Sequence, residues 1–374
     1  MEKKTIYYDI LKEKGGHFVS FANWQMPVFF SSIKDEHNAV RKDVGIFDIS
    51  HMGNISIRGK SAAALISKVI TNDINSLNQK RALYSIICNE SGGIIDDIIV
   101  YKFADDNFLV IANASNISAV FDAFNKNNGN KEIIIENKSD FFAGLAIQGP
   151  NSHKIINELF DNELTLDYFE CSDSFINSKD IIIARTGYTG EPGYELWIDY
   201  SKDNNLPINI LNKIINSDNV TLCGLGARDI LRLEAGYPLY GHELNLETNP
   251  FDAGLGWTIK LNEHNFIGKD ALVSLASKSE KLLVGCVINE RIVPRQGCIV
   301  YKDNIRIGQI TSGSFSYSIN KPVALAYIYH KFAHVGTNVA IEIRGKKIPA
   351  EITKPRFYYN PEIKKSFKKI CHYK

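Results

Sequence analysis

The segment Gly92-Gly93-Ile94-Ile95-Asp96-Asp97-Ile98-Ile99-Val100-Tyr101 constrains the fold of this chain more than any other. It is rich in β-branched residues, and successive side chains of a strand point to opposite faces. Asp96 therefore shares a face with Ile94, Ile98 and Val100, while Asp97 shares the other with Ile95, Ile99 and Tyr101. Two carboxylates interrupt an otherwise apolar strand, and an enclosed charge needs a partner. One solution is a structural ion pair or a position at a sheet edge. Another is a site, because a carboxylate in apolar surroundings is suited to fix a bound amine or take its proton.

The neighbourhood of this strand is regular. ALYSIICN (82–89) and IIDDIIVYKF (94–103) flank Glu90-Ser91-Gly92-Gly93 and predict a hairpin. NFLVIAN (107–113) predicts a third strand after the Asp105-Asp106 turn. SAAALISKVI (61–70) has its apolar residues at helical spacing. Residues 54–139 thus read as a compact α+β unit. Before it, Ser32 and the acids Asp35 and Glu36 mark a helix start, and Gly45 follows its end. After it, strands at 145–150, 180–186 and 195–200 mix with helices at 151–160 and 205–216. From about residue 280 the pattern changes to short strands separated by Gly, Asn and Lys turns, which predicts an all-β C-terminal domain, a small barrel or jelly-roll-like sheet.

Two further segments suggest a site. Arg185-Thr186-Gly187-Tyr188-Thr189-Gly190-Glu191-Pro192-Gly193-Tyr194-Glu195 specifies a shaped loop between strands. Its Glu195 suits an amidine-like edge, such as that of a pterin, by accepting two parallel hydrogen bonds, and Tyr188 suits a flat ring. The Gly spacing is wrong for a phosphate cradle. In Gly224-Leu225-Gly226-Ala227-Arg228-Asp229-Ile230-Leu231-Arg232, Arg228 stands near a helix start, where the dipole opposes it. A carboxylate partner (Asp97, Glu195 or Asp229) or a ligand would account for it. His51-Met52-Gly53 is placed to line a pocket, and Trp24 and Trp257 are expected in the core.

Composition excludes other classes. The 43 basic and 42 acidic residues nearly cancel, which argues against nucleic acid as the main partner. No apolar run reaches membrane-spanning length. The six cysteines are scattered, as in a reduced cytoplasmic protein, and no targeting segment is expected in MEKKTIYYDI. The nine histidines show no metal-ligand spacing, so no metal is expected.

At these residues the chain resembles the T protein of the glycine cleavage system. The resemblance includes FANWQMP (21–27), EHNAVRKDVGIFDISHMG (36–53), ALYSIICNESGGIIDDIIVYK (82–102), LAIQGP (145–150) and RTGYTGEPGYEL (185–196). It continues through GLGARDILRLEAGYPLYGHEL (224–244), NPFDAGLGW (249–257), FIGKDAL (266–272), GQITSGSFS (308–316) and Lys354-Pro355. The resemblance implies an α+β, three-domain, ring-like fold with folate in the central hole. The domains would be 1–53 with 140–279, then 54–139, then 280–374. It implies transfer of the methylene carbon from aminomethyl-dihydrolipoyl H protein to tetrahydrofolate, with release of ammonia. Asp97 matches the family's key carboxylate, Glu195 its pterin-binding glutamate and Arg228 its folate-contacting arginine. Met52, Tyr84, Ile99, Tyr101, Asn113, Tyr168, Tyr188 and Tyr237 match further pocket positions. The end of the chain, with Lys364, Lys365, Lys368 and Lys369, does not follow the family's basic end, and Phe169 stands where a second tyrosine can occur.

Two relatives remain as alternatives. One takes its carbon from a small free substrate, such as a sulfonium compound or a methylated glycine. The other is a non-enzymatic folate binder linked to iron–sulfur assembly, marked by Lys-Gly-Cys-Tyr-x-Gly-Gln, a stretch missing from this sequence.

Overall fold

The structure is a computed structural model, and it describes residues 2–129, 131–160, 164–173 and 181–363. Two sheets face each other, each covered by helices on its far side. A six-stranded sheet runs in the order Cys171–Ser172, Ile181–Ala184, Gly193–Asp199, Phe142–Gln148, Val44–Asp48, Val220–Leu222. Alternate residues of its strands enter two different cores, as the pleat demands. Ile46, Leu145, Ile147, Ile183, Leu196 and Ile198 pack under the helices Ser152–Phe160 and Asn205–Ile215. Phe47, Ala146, Ile182 and Trp197 point the other way, toward the second sheet.

The second sheet has five strands, in the order Arg81–Cys88, Ile94–Ala104, Asn107–Ala112, Gly53–Arg58, Ile134–Asn137. The predicted hairpin is present, with Tyr84 opposite Ile99 and Ile86 opposite Asp97. Its turn is closed by the Asn89 side chain, which accepts from the Ser91 and Gly93 amides. Strand parity also holds. Ile98 and Val100 join the core under the helices Ala62–Val69 and Ile117–Asn127, while Ile99 and Tyr101 turn to the core between the sheets.

The C-terminal strands close into a barrel, in the order Lys281–Ile288, Lys321–Tyr329, Ile305–Ser316, Ile299–Lys302, Asn338–Ile343, Lys346–Thr353. Between the two forms expected of this region the structure decides for the barrel; closure leaves no exposed edge. The barrel's outer face meets the helix Leu225–Ala235 through Leu233, Leu283, Val323 and Leu325. That helix also touches Ile33–Lys42, whose Ser32 caps it by accepting from the Asp35 amide, an interaction of about 1 kcal/mol. Trp24 is buried as expected. The lysines at 364, 365, 368 and 369 lie outside the described residues, as does the start of the predicted 180–186 strand. Among the described residues no helix is long and apolar enough to cross a membrane.

Candidate active site

A cavity of about 610 Å³ opens between the two sheets, the helix Leu225–Ala235 and the barrel. The pleat delivers Asp97 and Ile99 to its wall from one sheet and Glu195 from the other. Met52, Asn113, Tyr168 and Tyr188 line it from loops, and Tyr84 from the neighbouring strand. Arg228 reaches it from the first turns of the helix, and Tyr237 from just beyond the helix end. Residues as far apart in sequence as Met52 and Tyr237 thus share one space.

Asp97 is held by neutral groups. The Tyr84 hydroxyl donates to its Oδ2 at 3.0 Å, and the Asn113 amide donates to its Oδ1 at 2.8 Å. Burial pushes its carboxyl above the usual range, against the opposing effect of those two hydrogen bonds. Asp96 faces away and is fully buried. Among the described residues neither aspartate forms an ion pair with a cation, so the structural-pair alternative does not apply to them.

Glu195 lies across the cavity. Thr186 Oγ1 donates to its Oε2 at 2.7 Å and Tyr101 donates to the same oxygen at 3.2 Å. Its Oε1 makes no hydrogen bond to a described residue. One carboxylate oxygen is thus fixed while the other is left for a donor in the cavity. Tyr101 corrects an expectation. It is fully buried behind the wall rather than on it, and its hydroxyl also contacts Thr186 and accepts from Trp197 Nε1 at 3.4 Å. Its ring belongs to the core between the sheets, and its hydroxyl supports Glu195.

The Gly-rich loop has a steric cause. Buried Gln148 donates to the carbonyls of Thr186 and Tyr194 and accepts from Thr189 Oγ1 at 2.8 Å. A Cβ at Gly187 would stand 2.0 Å from the Gln148 oxygen. Tyr188 from this loop stacks with Tyr237, their ring centres 5.8 Å apart, and donates to the Pro238 carbonyl. The Arg228 guanidinium lies 4.8 Å from the Tyr188 ring centre. None of the three carboxylates considered for Arg228 pairs with it. Asp229 and Glu243 pair instead with Arg232. Burial lowers the Arg228 proton affinity and the charge of Glu195 opposes this. Arg228 therefore presents a cation to the cavity without an anion from the described residues on it, at a helix start that already disfavours a cation.

Several site residues escaped the sequence reading. Trp257, expected in the core, is 39% exposed at the cavity, stacked on Tyr84 with ring centres 5.8 Å apart. Its short 3-10 turn carries no periodicity that would have placed it. His51 does line the cavity. Burial, then the charge of Arg228, lowers its imidazole to about 3, so it is neutral at physiological pH. Glu36 accepts from the Gly224 amide at 2.9 Å and from the amides of Phe30 and Ser31, fixing the start of the Arg228 helix. Only the position of Glu36 in a helix first turn was visible beforehand. Among the described residues no cluster of His, Cys, Asp or Glu is arranged to hold a metal.

Comparison with known proteins agrees with this geometry. Residues 7–263 match the GCVT N-terminal domain family, and residues 281–358 match the glycine cleavage T-protein C-terminal barrel domain family. The aminomethyltransferase of Caldanaerobacter subterraneus subsp. tengcongensis is 40% identical over 373 residues, covering 98% of this chain and 97% of that protein. That of Thermotoga maritima is 39% identical over 364 residues, covering 95% and 98%. The crystal structure of the glycine cleavage system aminomethyltransferase T from Bartonella henselae superposes with a TM-score of 0.90 at 31% identity, covering 96% of this chain and 98% of that one. With both halves matched and relatives similar from end to end, the chain belongs to the glycine cleavage T-protein family, whose members are tetrahydrofolate-dependent aminomethyltransferases.

Proposed function

We propose that this aminomethyltransferase uses Asp97 as its catalytic carboxylate and the Glu195–Arg228 side of the cavity to hold tetrahydrofolate. The reading rests on one observation above all. Asp97 and the free oxygen of Glu195 face the same cavity from two different sheets, with no cation among the described residues on either. Glu195 accepts hydrogen bonds from the 2-amino and ring N–H groups of the pterin. Tyr188 and Tyr237 offer flat faces, and Arg228 supplies a cation for the folate's polar groups. Met52, Tyr84, Ile99, Asn113 and Tyr168 complete the walls. Tyr101 acts on the pterin only through Glu195.

The carbon comes from the aminomethyl group on the lipoyl arm of the H protein. Ammonia, methylenetetrahydrofolate and the dihydrolipoyl H protein are the products. Asp97 orients the folate nitrogen that receives the carbon and takes up its proton. Its raised proton affinity suits that exchange. The same negative charge, in a largely apolar cavity, supports the methylene iminium that forms as ammonia leaves. Holding the amine against that carbon supplies most of the remaining acceleration. No metal takes part in this reading, and we place the enzyme in the cytoplasm with the lipoylated H protein as its partner. The sequence divides into three units, 1–53 with 140–279, 54–139, and 280–374, which would surround the folate. The two facing sheets and the barrel around the cavity support that division.

The test is ammonia release from aminomethyl-lipoyl H protein, with and without tetrahydrofolate. Strong release that depends on folate is the expected outcome. A protein that binds tetrahydrofolate by calorimetry yet releases no ammonia would refute the reading in favour of a small-substrate relative or a non-enzymatic folate binder.

A further inference from the structure

Asp96 is the buried charge that the reading above leaves without a task. It is fully enclosed, with no cation among the described residues beside it. Its Oδ2 accepts from the Asn113 backbone amide at 2.9 Å. Its Oδ1 accepts from the side-chain amides of Asn113 and Asn116, at 2.8 and 2.7 Å. Three neutral donors are a small return for burying a carboxylate, since a charge so placed costs several kcal/mol even after relaxation. A role confined to capping the turn Ala114–Asn116 would be served as well by a neutral acceptor.

The Asn113 side chain suggests what the charge does. Its single Nδ2 donates both to Asp96 Oδ1 and to Asp97 Oδ1, each at 2.8 Å. It reaches both because the strand register, with Ile99 opposite Ile111, carries Asp97 opposite Asn113. Asp96 fixes the backbone and the side chain of Asn113 together, so the amide has one orientation in which to meet Asp97. We propose that Asp96 is a positioning residue, which sets the orientation of Asp97 through the Asn113 amide that they share. This rests on the assignment of Asp97 as the catalytic carboxylate.

Electrostatics adds a measurable consequence. The ionisable groups facing the pair are the hydroxyls of Tyr84, Tyr188 and Tyr240, so among the described residues no cation offsets the mutual repulsion. Burial and then the charge of Asp97 raise the proton affinity of Asp96, and the two titrate as a pair. The Asp97 charge raises Asp96 rather than the reverse, so exchange of Asp96 for Asn should leave the acid limb of turnover in place and act on kcat through orientation.

The experiment is a double-mutant cycle on the full enzyme with aminomethyl-lipoyl H protein and tetrahydrofolate, read as kcat and KM against pH. Asp96→Asn is expected to lower kcat about tenfold, the order of a lost charge-assisted contact. It should leave the tetrahydrofolate Kd within about twofold and the acid limb of kcat in place. In the Asn113→Ala background the same change should have little further effect on kcat, because the route to Asp97 is already cut. Retained wild-type kcat in Asp96→Asn, or equal loss in both backgrounds, would overturn the proposal. If Asp96→Asn fails to fold, Asn116→Ala provides the second variant. It weakens the hold on Asp96 and should lower kcat at intact folate affinity, and an unchanged kcat would count against the proposal. Asp97→Asn separates the two levels. Should it keep turnover, the underlying assignment fails; should it abolish turnover while Asp96→Asn is silent, the inference alone fails.

Discussion

Glu234 offers a prediction whose size follows from the structure. It sits on the helix that carries Arg228 and is fully buried. Its carboxylate accepts from His37 Nε2 at 2.8 Å, Arg41 Nη2 at 2.7 Å, Ser316 Oγ at 2.6 Å, and the Ser318 amide and hydroxyl at 3.1 and 2.7 Å. These donors come from the helix Ile33–Lys42 and from the barrel's rim, so one carboxylate ties three parts of the molecule. Burial alone would raise its proton affinity. The His37 hydrogen bond and the Arg41 charge outweigh this and hold the carboxyl at about 2. Relative to the usual 4.5, that corresponds to about 3 kcal/mol of stability. The depressed value fixes the sign. The contribution is fully present above pH 4.5 and is lost as pH falls toward 2. Glu234→Gln should therefore cost about 3 kcal/mol in urea unfolding at pH 7, within the range for breaking a buried pair. The difference from the wild type should stay constant from pH 8 to about 4.5 and shrink below it. A variant as stable as the wild type, or a difference that changes between pH 8 and 5, would refute the reasoning.

The cavity yields three more. Asp97→Asn should bind tetrahydrofolate within about threefold of the wild type by calorimetry while single-turnover ammonia release slows by about 100-fold or more. Glu195→Ala should weaken tetrahydrofolate by about 10- to 100-fold, since it removes a charged acceptor for paired donors; an unchanged titration would end that role. Tyr101→Phe should weaken tetrahydrofolate about fivefold and leave the KM for H protein unmoved, because the hydroxyl acts only on Glu195 and its neighbours.

Much of this arrangement was legible in the residues. The pleat alone put Asp97 on the face of Ile99 and Asp96 on that of Ile98, and the two faces do enter different cores. The turn residues between the last six strands were enough to expect an all-β unit, since Gly and Asn favour tight turns and Gly, Asn and Lys are depleted in strands. The clash of Gly187 with Gln148 explains why the loop before Glu195 needs its glycines, although only the glycines were visible in advance.

What local pattern could not decide is anything that depends on distance across the fold. Strand parity put Tyr101 on the same face as Asp97, yet the opposing sheet covers Tyr101 and leaves Asp97 open, and only the meeting of two sheets determines where a cavity ends. Trp257 reads as an apolar residue and stands at the rim because Tyr84 offers it a ring to stack on. Arg228 seemed to call for a carboxylate, and each acidic neighbour turned out to be committed elsewhere: Asp229 and Glu243 to Arg232, Glu195 to Thr186 and Tyr101. Sequence by itself determined the elements and the faces they present, because those follow from backbone geometry over a few residues. Tertiary structure decided which faces share a space and which charges are left unmatched in it, because burial and Coulomb forces act between side chains that the chain separates by a hundred residues.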